Sequence, residues 1–135
     1  ALFPEAGVGL VLEMLDELKP MFGVNAPERL LYQHFQNRFA IWAEVLDKVA
    51  GLEPKVRRLA TLRSREGITC ECRCEEGGVI RLLEHHHPLA RVFERYPRAV
   101  LMELRMIEQL LGARVARDEQ PGGREGTMRV VFTIG

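Results

Sequence analysis

Residues 68–84 read Ile-Thr-Cys-Glu-Cys-Arg-Cys-Glu-Glu-Gly-Gly-Val-Ile-Arg-Leu-Leu-Glu. Ile68, Cys70, Cys72 and Cys74 alternate with Thr69, Glu71, Arg73 and Glu75, the two-residue period of a half-buried strand. Glu76-Gly77-Gly78 reads as a turn, and Val79 to Glu84 returns as a second strand. A hairpin therefore interrupts the chain at its middle, with a register that the loop length leaves open.

Upstream of the hairpin the apolar period is helical. Val8, Val11, Leu12, Leu15 and Leu18 mark one face of a first helix, Glu5 to Leu18, stopped near Lys19-Pro20. Asn25-Ala26-Pro27-Glu28 supplies a cap residue, an early proline and a glutamate able to reach back, so a second helix starts there. Its stripe is Leu31, Phe35, Phe39, Trp42, Leu46 and Val49, with Gly51 as its terminator. Glu53-Pro54 opens a third helix with Val56, Leu59 and Ala60 inward, closed by Glu66-Gly67. The cluster Arg57, Arg58, Arg63 and Arg65 is assigned to a solvated face of that helix.

Downstream, Pro88 is placed at a first helical position, with Leu89, Val92, Phe93 and Tyr96 as a short stripe. Pro97 begins another helix, with Val100, Leu104, Ile107 and Leu111 inward and Gly112 at its end. Ala113 to Arg117 reads as a strand and Asp118 to Thr127 as a polar loop. Met128, Val130, Phe132 and Ile134 form the inward face of a last strand. The expectation is an α+β fold in the order ααα-ββ-αα-ββ, one domain over residues 1–135. Residues 1–66 form the helical, dimerising part and 67–135 the α+β sensor part.

Composition narrows the function classes. The 19 basic residues balance 19 acidic ones, so no broad positive field is available to hold phosphate backbones. No apolar run approaches the roughly 18 residues that would cross a bilayer, and the start lacks a basic leader, so a cytoplasmic location and no membrane partner are expected. The three cysteines are clustered and odd in number, which fits free thiols better than a disulfide framework.

Thiolates and imidazoles bind transition metals, so Cys70, Cys72 and Cys74 together with His85 and His87 are the candidate metal or ligand contacts, with zinc as the metal that suits them. Alternate side chains on a flat strand lie roughly 6 to 7 Å apart, too wide for adjacent ligands of one tetrahedral ion without a bulge. The competing reading makes the cysteines small apolar residues on the core face. If the strand continues, His85 and His87 share a side, and His87 sits at the N-cap of the Pro88 helix. Tyr32, Phe35, Phe39 and Trp42 on the second helix are candidates for a dimer interface or an effector pocket. No nucleophile elbow, phosphate loop, zincin helix or paired CxxC motif is present, so no catalytic residue is assigned.

The stretch from Leu82 to Ile134 resembles the C-terminal sensor half of bacterial winged-helix transcriptional regulators that include the repressors of iron–sulfur cluster biogenesis. That family has a His-Asn-Cys-Pro-Ile type motif, a Pro-x-x-Cys-x-x-Glu helix start, a Leu-Gly-x-x-Val-x-Arg segment and a final strand with Cys-x-Tyr. The matching stretches here are His85-His86-His87-Pro88-Leu89, Pro97 to Glu103, Leu111 to Arg117, and Val130-Val131-Phe132. The run Val56-Arg57-Arg58-Leu59-Ala60-Thr61-Leu62-Arg63, ending at Glu66-Gly67, is similar too.

The resemblance implies an effector-sensing, homodimeric domain that is not an enzyme. Its effector is a small molecule or a metal, and DNA is contacted only through a winged helix absent from this chain, which begins about where that module ends. The family's three cysteines fall on His87, Val100 and Val130, so its iron–sulfur centre is not expected. A small metal-dependent or thiol-dependent enzyme built on the cysteine strand and the histidines is the alternative from another class.

Overall fold

A computed structural model describes residues 4–121 and 128–135. Its elements, in chain order, are α1 (Pro4–Phe22), α2 (Ala26–Leu46), α3 (Leu52–Arg65), β1 (Thr69–Cys74), β2 (Ile80–His86), α4 (Ala90–Arg95), α5 (Arg98–Leu111), β3 (Val115–Pro121) and β4 (Met128–Ile134). A single 3-10 turn, Glu76–Gly78, joins β1 to β2. Among the described residues the fold is therefore α+β, five α-helices with one four-stranded antiparallel sheet of order β1-β2-β4-β3.

The register fixes which side chains meet. Cys70, Cys72 and Cys74 pair with Glu84, Leu82 and Ile80, and these pair in turn with Val130, Phe132 and Ile134. Val115, Arg117 and Glu119 continue the same rows on β3. Because side chains alternate, all of these occupy one face, the face against which the helices pack. One core cluster joins Leu12 and Leu15 of α1, Leu31 to Leu46 of α2 and Val56 and Leu59 of α3 to Leu82, Ile107 and Phe132. Asp16 anchors α1 to the end of α4, accepting a hydrogen bond from the Tyr96 hydroxyl at 2.6 Å while pairing with Arg95.

Several boundaries differ from the sequence reading, each for a physical reason. The first helix does not stop at Lys19-Pro20. Pro20 lies inside its last turn, where a missing N–H costs one bond, and the helix ends at Gly23, whose N–H donates to the Lys19 carbonyl with φ at 110°. Asn25 makes no side-chain cap bond, and α2 ends at Leu46, so Gly51 precedes α3 instead of closing α2. Gly67 does close α3, at φ 88°, and a Cβ there would also press on Pro88 at 3.3 Å.

In the second half β2 runs on to His86, two residues past Glu84. The fourth helix starts at Ala90 instead of Pro88, because Pro88 and Leu89 form a turn held by the Ala90 N–H on the His87 carbonyl. Residues 113–114 lie outside β3, and Asp118 to Pro121 are strand rather than loop, paired with Val131 to Met128. The remainder of the expected loop, 122–127, lies outside the described residues.

The buried side of α5 is turned from the predicted Val100–Leu104 line. It is Ala99, Glu103, Met106, Ile107, Leu110 and Leu111, while Val100 and Leu104 are half-buried at its margins. An apolar-only stripe assigns Glu103 to solvent, and that one residue shifts the inferred face by about a position.

Candidate functional site

The inward stripe of α3, Val56, Leu59 and Ala60, continues at helical spacing to position 63, and the residue there is an arginine. Arg63 is 0% exposed, so its assignment to a solvated basic face is overturned. Two carboxylates meet it: Glu84 from the inner face of β2 and Glu103 from the inner side of α5, each 3% exposed. Arg63 Nη2 donates to Glu84 Oε2 and lies 3.4 Å from Glu103 Oε2. His87, just beyond β2, places Nε2 2.8 Å from the same Glu103 oxygen. The Leu89 N–H donates to His87 Nδ1 at 3.0 Å, so that nitrogen carries the lone pair and Nε2–H donates to Glu103. The His87 and Phe93 rings meet edge-to-face at 4.8 Å between centres, and the guanidinium carbon of Arg63 lies 5.9 Å from the centre of the Phe132 ring.

The two carboxylates respond differently to one environment. Burial pushes Glu103 up, but the Arg63 charge and the His87 hydrogen bond reverse this and hold it down at about 2. Burial also pushes Glu84 up, and there Arg63 does not compensate, so its carboxyl is raised. Arg63 thus serves two buried carboxylates, Glu84 by the direct hydrogen bond and Glu103 across 3.4 Å, the latter shared with His87.

A cavity opens on each side of this network. On the sheet side, about 480 Å³ is bounded by Glu84, His87, Phe93, Glu103, Arg117 and Glu119. Arg117 and Glu119, both on the inner face of β3, pair at 3.1 Å. On the helix side, about 190 Å³ is bounded again by His87 and Glu103, and by Arg63, Arg38, His34 and Trp42. Burial, and then the charge of Arg38, hold the His34 imidazole below its ordinary value. Two nitrogens of Arg63, Nε and Nη1, and Nε of Arg38 are buried without an acceptor among the described residues.

The cysteines and histidines singled out in the sequence are not brought together. The cysteine row faces α3: Cys70 Sγ lies 3.3 Å from the Ala60 carbonyl and 3.7 Å from Ser64 Oγ, and exposed Cys74 meets Glu53 and Arg57. His85 lies on the opposite face of the sheet, against Glu71 at 3.0 Å. His87 turns inward to Glu103, so it does not share a side with His85 as an extended strand would require. Among the described residues no three His, Cys, Asp or Glu side chains converge where a metal ion could sit. Of the aromatic group, Phe35 and Trp42 are core, Phe39 is half-buried and Tyr32 is exposed. Tyr32, Phe35 and Phe39 line a groove between α2 and α5.

All three thiols are raised, Cys70 and Cys72 chiefly by burial and Cys74 chiefly by its hydrogen bond to Glu53. Thiol reactivity follows the thiolate fraction. We therefore expect iodoacetamide at pH 7.5 to label each cysteine at least severalfold more slowly than free cysteine, Cys74 ahead of Cys70. Mass spectrometry of the digested protein measures this, and a site reacting faster than free cysteine would refute it.

No known protein family matches this chain, and no curated protein sequence is significantly similar to it. No helix among the described residues is long and apolar enough to cross a membrane.

Proposed function

We propose that this chain is the effector-sensing and dimerisation domain of a transcriptional regulator, binding a small molecule beside the Arg63–Glu84–Glu103–His87 network without transforming it. The observation that carries this reading is the network itself, four polar side chains drawn from α3, β2, α5 and the β2–α4 turn and bordered by two cavities. Buried ion pairs are weak contributors to net stability, so such a cluster argues for a role other than holding the fold. A ligand that reorganises it moves α3 and α5 relative to β2, which is a route from pocket to helices.

The chemistry favours sensing over catalysis. Both ring nitrogens of His87 are committed, Nδ1 to the Leu89 N–H and Nε2 to Glu103, which leaves no lone pair for a general base. The raised thiols do not suit a nucleophile.

Self-association is supported by α1. Beyond its inward residues Val8, Leu12 and Leu15 and the half-buried Leu18, which packs against the core, it carries exposed Val11, Met14 and Met21 along a second side. Met14 and Met21 are 61% and 66% exposed, so these three side chains are free to meet the same residues of a second copy. Native mass spectrometry of the purified chain tests the whole reading. A dimer with a retained small molecule is the expected spectrum, and a bare monomer at high concentration would overturn it.

A further inference from the structure

Cys72 and Cys74 stand side by side at the margin of the sheet. β1 is an edge strand, and both residues lie in its row that faces α3. Cys74 is exposed and Cys72 half-buried. The Cys72 thiol hydrogen-bonds to the Cys74 thiol, which itself donates to Glu53. Cys70, the third member of the row, is committed to the helix instead, donating to the Ala60 carbonyl at 3.3 Å and meeting Ser64 Oγ at 3.7 Å. The row thus divides into one thiol held by α3 and an accessible pair.

Two sulfurs select the ion. A zinc site takes three or four protein ligands, and among the described residues no third His, Cys, Asp or Glu converges with this pair where a metal could sit. An ion satisfied by two soft ligands remains, and thiolates select Cu(I) among the first-row metals. Spacing agrees. With metal–sulfur bonds of about 2.3 Å, sulfurs on opposite sides of an ion lie about 4.6 Å apart, against about 3.8 Å at a tetrahedral angle. Alternate residues of a strand, about 6 to 7 Å apart at the backbone, reach the wider span with less distortion.

The charges around the pair fit as well. Two thiolates on a monovalent ion leave one negative charge, and Arg57 Nη2 lies 3.6 Å from Cys74 Sγ. Glu53, which accepts from Cys74, pairs with the same guanidinium at 3.8 Å and keeps that partner when the thiol proton leaves.

We propose that Cys72 and Cys74 form a two-coordinate Cu(I) site at the edge of β1, with Arg57 as its counter-charge. Binding exchanges protons for metal without oxidation or reduction: two S–H bonds break, two Cu–S bonds form, and two protons pass to solvent. The site lies outside the Arg63 network and does not depend on the sensing role proposed above.

The reduced, intact chain is titrated anaerobically with Cu(I) in the presence of bathocuproine disulfonate, whose coloured complex reports the copper that the protein has not taken. One Cu(I) per chain should be withdrawn from the chelator, and copper X-ray absorption should show two sulfurs. Since each thiol gives up a proton to bind, the apparent affinity should rise about a hundredfold per pH unit near neutrality, against about tenfold for a single thiol. Loss of an outer-shell partner costs a metal site roughly 10–100-fold in affinity, so Arg57→Gln should fall in that range and Cys72→Ser and Cys74→Ser should each exceed it. Cys70→Ser should leave the affinity unchanged.

Copper left wholly with the chelator would mark any binding as adventitious and overturn the proposal. So would full affinity in Cys72→Ser or Cys74→Ser, an equal loss in Cys70→Ser, or the pH slope of a single thiol. Should a variant not fold, the stoichiometry, sulfur count and pH slope of the unaltered chain decide alone.

Discussion

Arg63→Ala is expected to cost about 4 kcal/mol of folding stability, within the range of about 3–5 kcal/mol for breaking a buried ion pair from one side. For a chain of 135 residues this lowers the thermal midpoint by more than about 10 °C. The loss is not the worth of the contacts alone. Removing the guanidinium strands Glu84 and Glu103 in a space where each is 3% exposed, and leaves a void beside Phe132.

Two companion variants separate these causes. Arg63→Lys keeps the charge but not the fork, and should recover about half of the loss. Replacing Arg63, Glu84 and Glu103 together by apolar residues of similar volume should cost less than Arg63→Ala alone, because no charge is then left unpaired. Differential scanning calorimetry checks all three. If the triple variant were the least stable, the network would be a structural necessity, and the argument that assigns it to ligand response would lose its basis.

Acid titration gives the second large effect, with opposite signs at the two carboxylates. Glu103 is held down at about 2, below the ordinary glutamate value of 4.5. It therefore contributes stability that is fully present above about pH 5 and is lost as pH falls from there toward 2. Glu84 is raised, so its ionised form is a cost at neutral pH that is relieved as the group takes up a proton.

The expected curve is flat or gently rising from pH 7 to about 5 and falls steeply below 4. Asp16 and Glu71, also held low by their partners, fall in the same direction and make the wild-type curve ambiguous alone. Glu103→Gln resolves it. That variant should lose about 3 kcal/mol at pH 7 and show a much shallower acid limb. Glu84→Gln should cost less than Glu103→Gln at pH 7, because the fold already disfavours that charge. Equal losses in the two variants would contradict the opposite responses assigned to these two carboxylates.

The elements of this fold are legible from period and punctuation. The switch from helical spacing to the alternation of Ile68 to Cys74 marks the sheet, and Gly67 and Gly112 mark helix ends. The site was not legible in the same way, because its members break the rule by which faces are read. Arg63 and Glu103 occupy inward positions of α3 and α5, yet a charged residue is counted toward solvent wherever its partners are unknown.

One signal was available. The stripe Val56, Leu59, Ala60 extends at regular helical spacing to Arg63, and an unbroken stripe ending in a charge is a reason to search for a distant counter-charge. The histidine triplet misled differently. Identical neighbours on a strand alternate in direction, and the strand ends at His86, so His85 and His87 reach opposite sides of the sheet.

The network has a further consequence for how the chain assembles. Its members come from α3, β2 and α5, so during synthesis Arg63 leaves the ribosome first and waits for Glu84 and then Glu103. Docking α3 on the hairpin brings Arg63 to Glu84, but its second carboxylate, Glu103, is available only once α5 has emerged. The charge network is therefore complete only after α5 has joined α3 and the hairpin. Buried charge in this molecule ties the packing of α3 to an element made later in the chain, and β4, the neighbour of β2 in the sheet, follows later still.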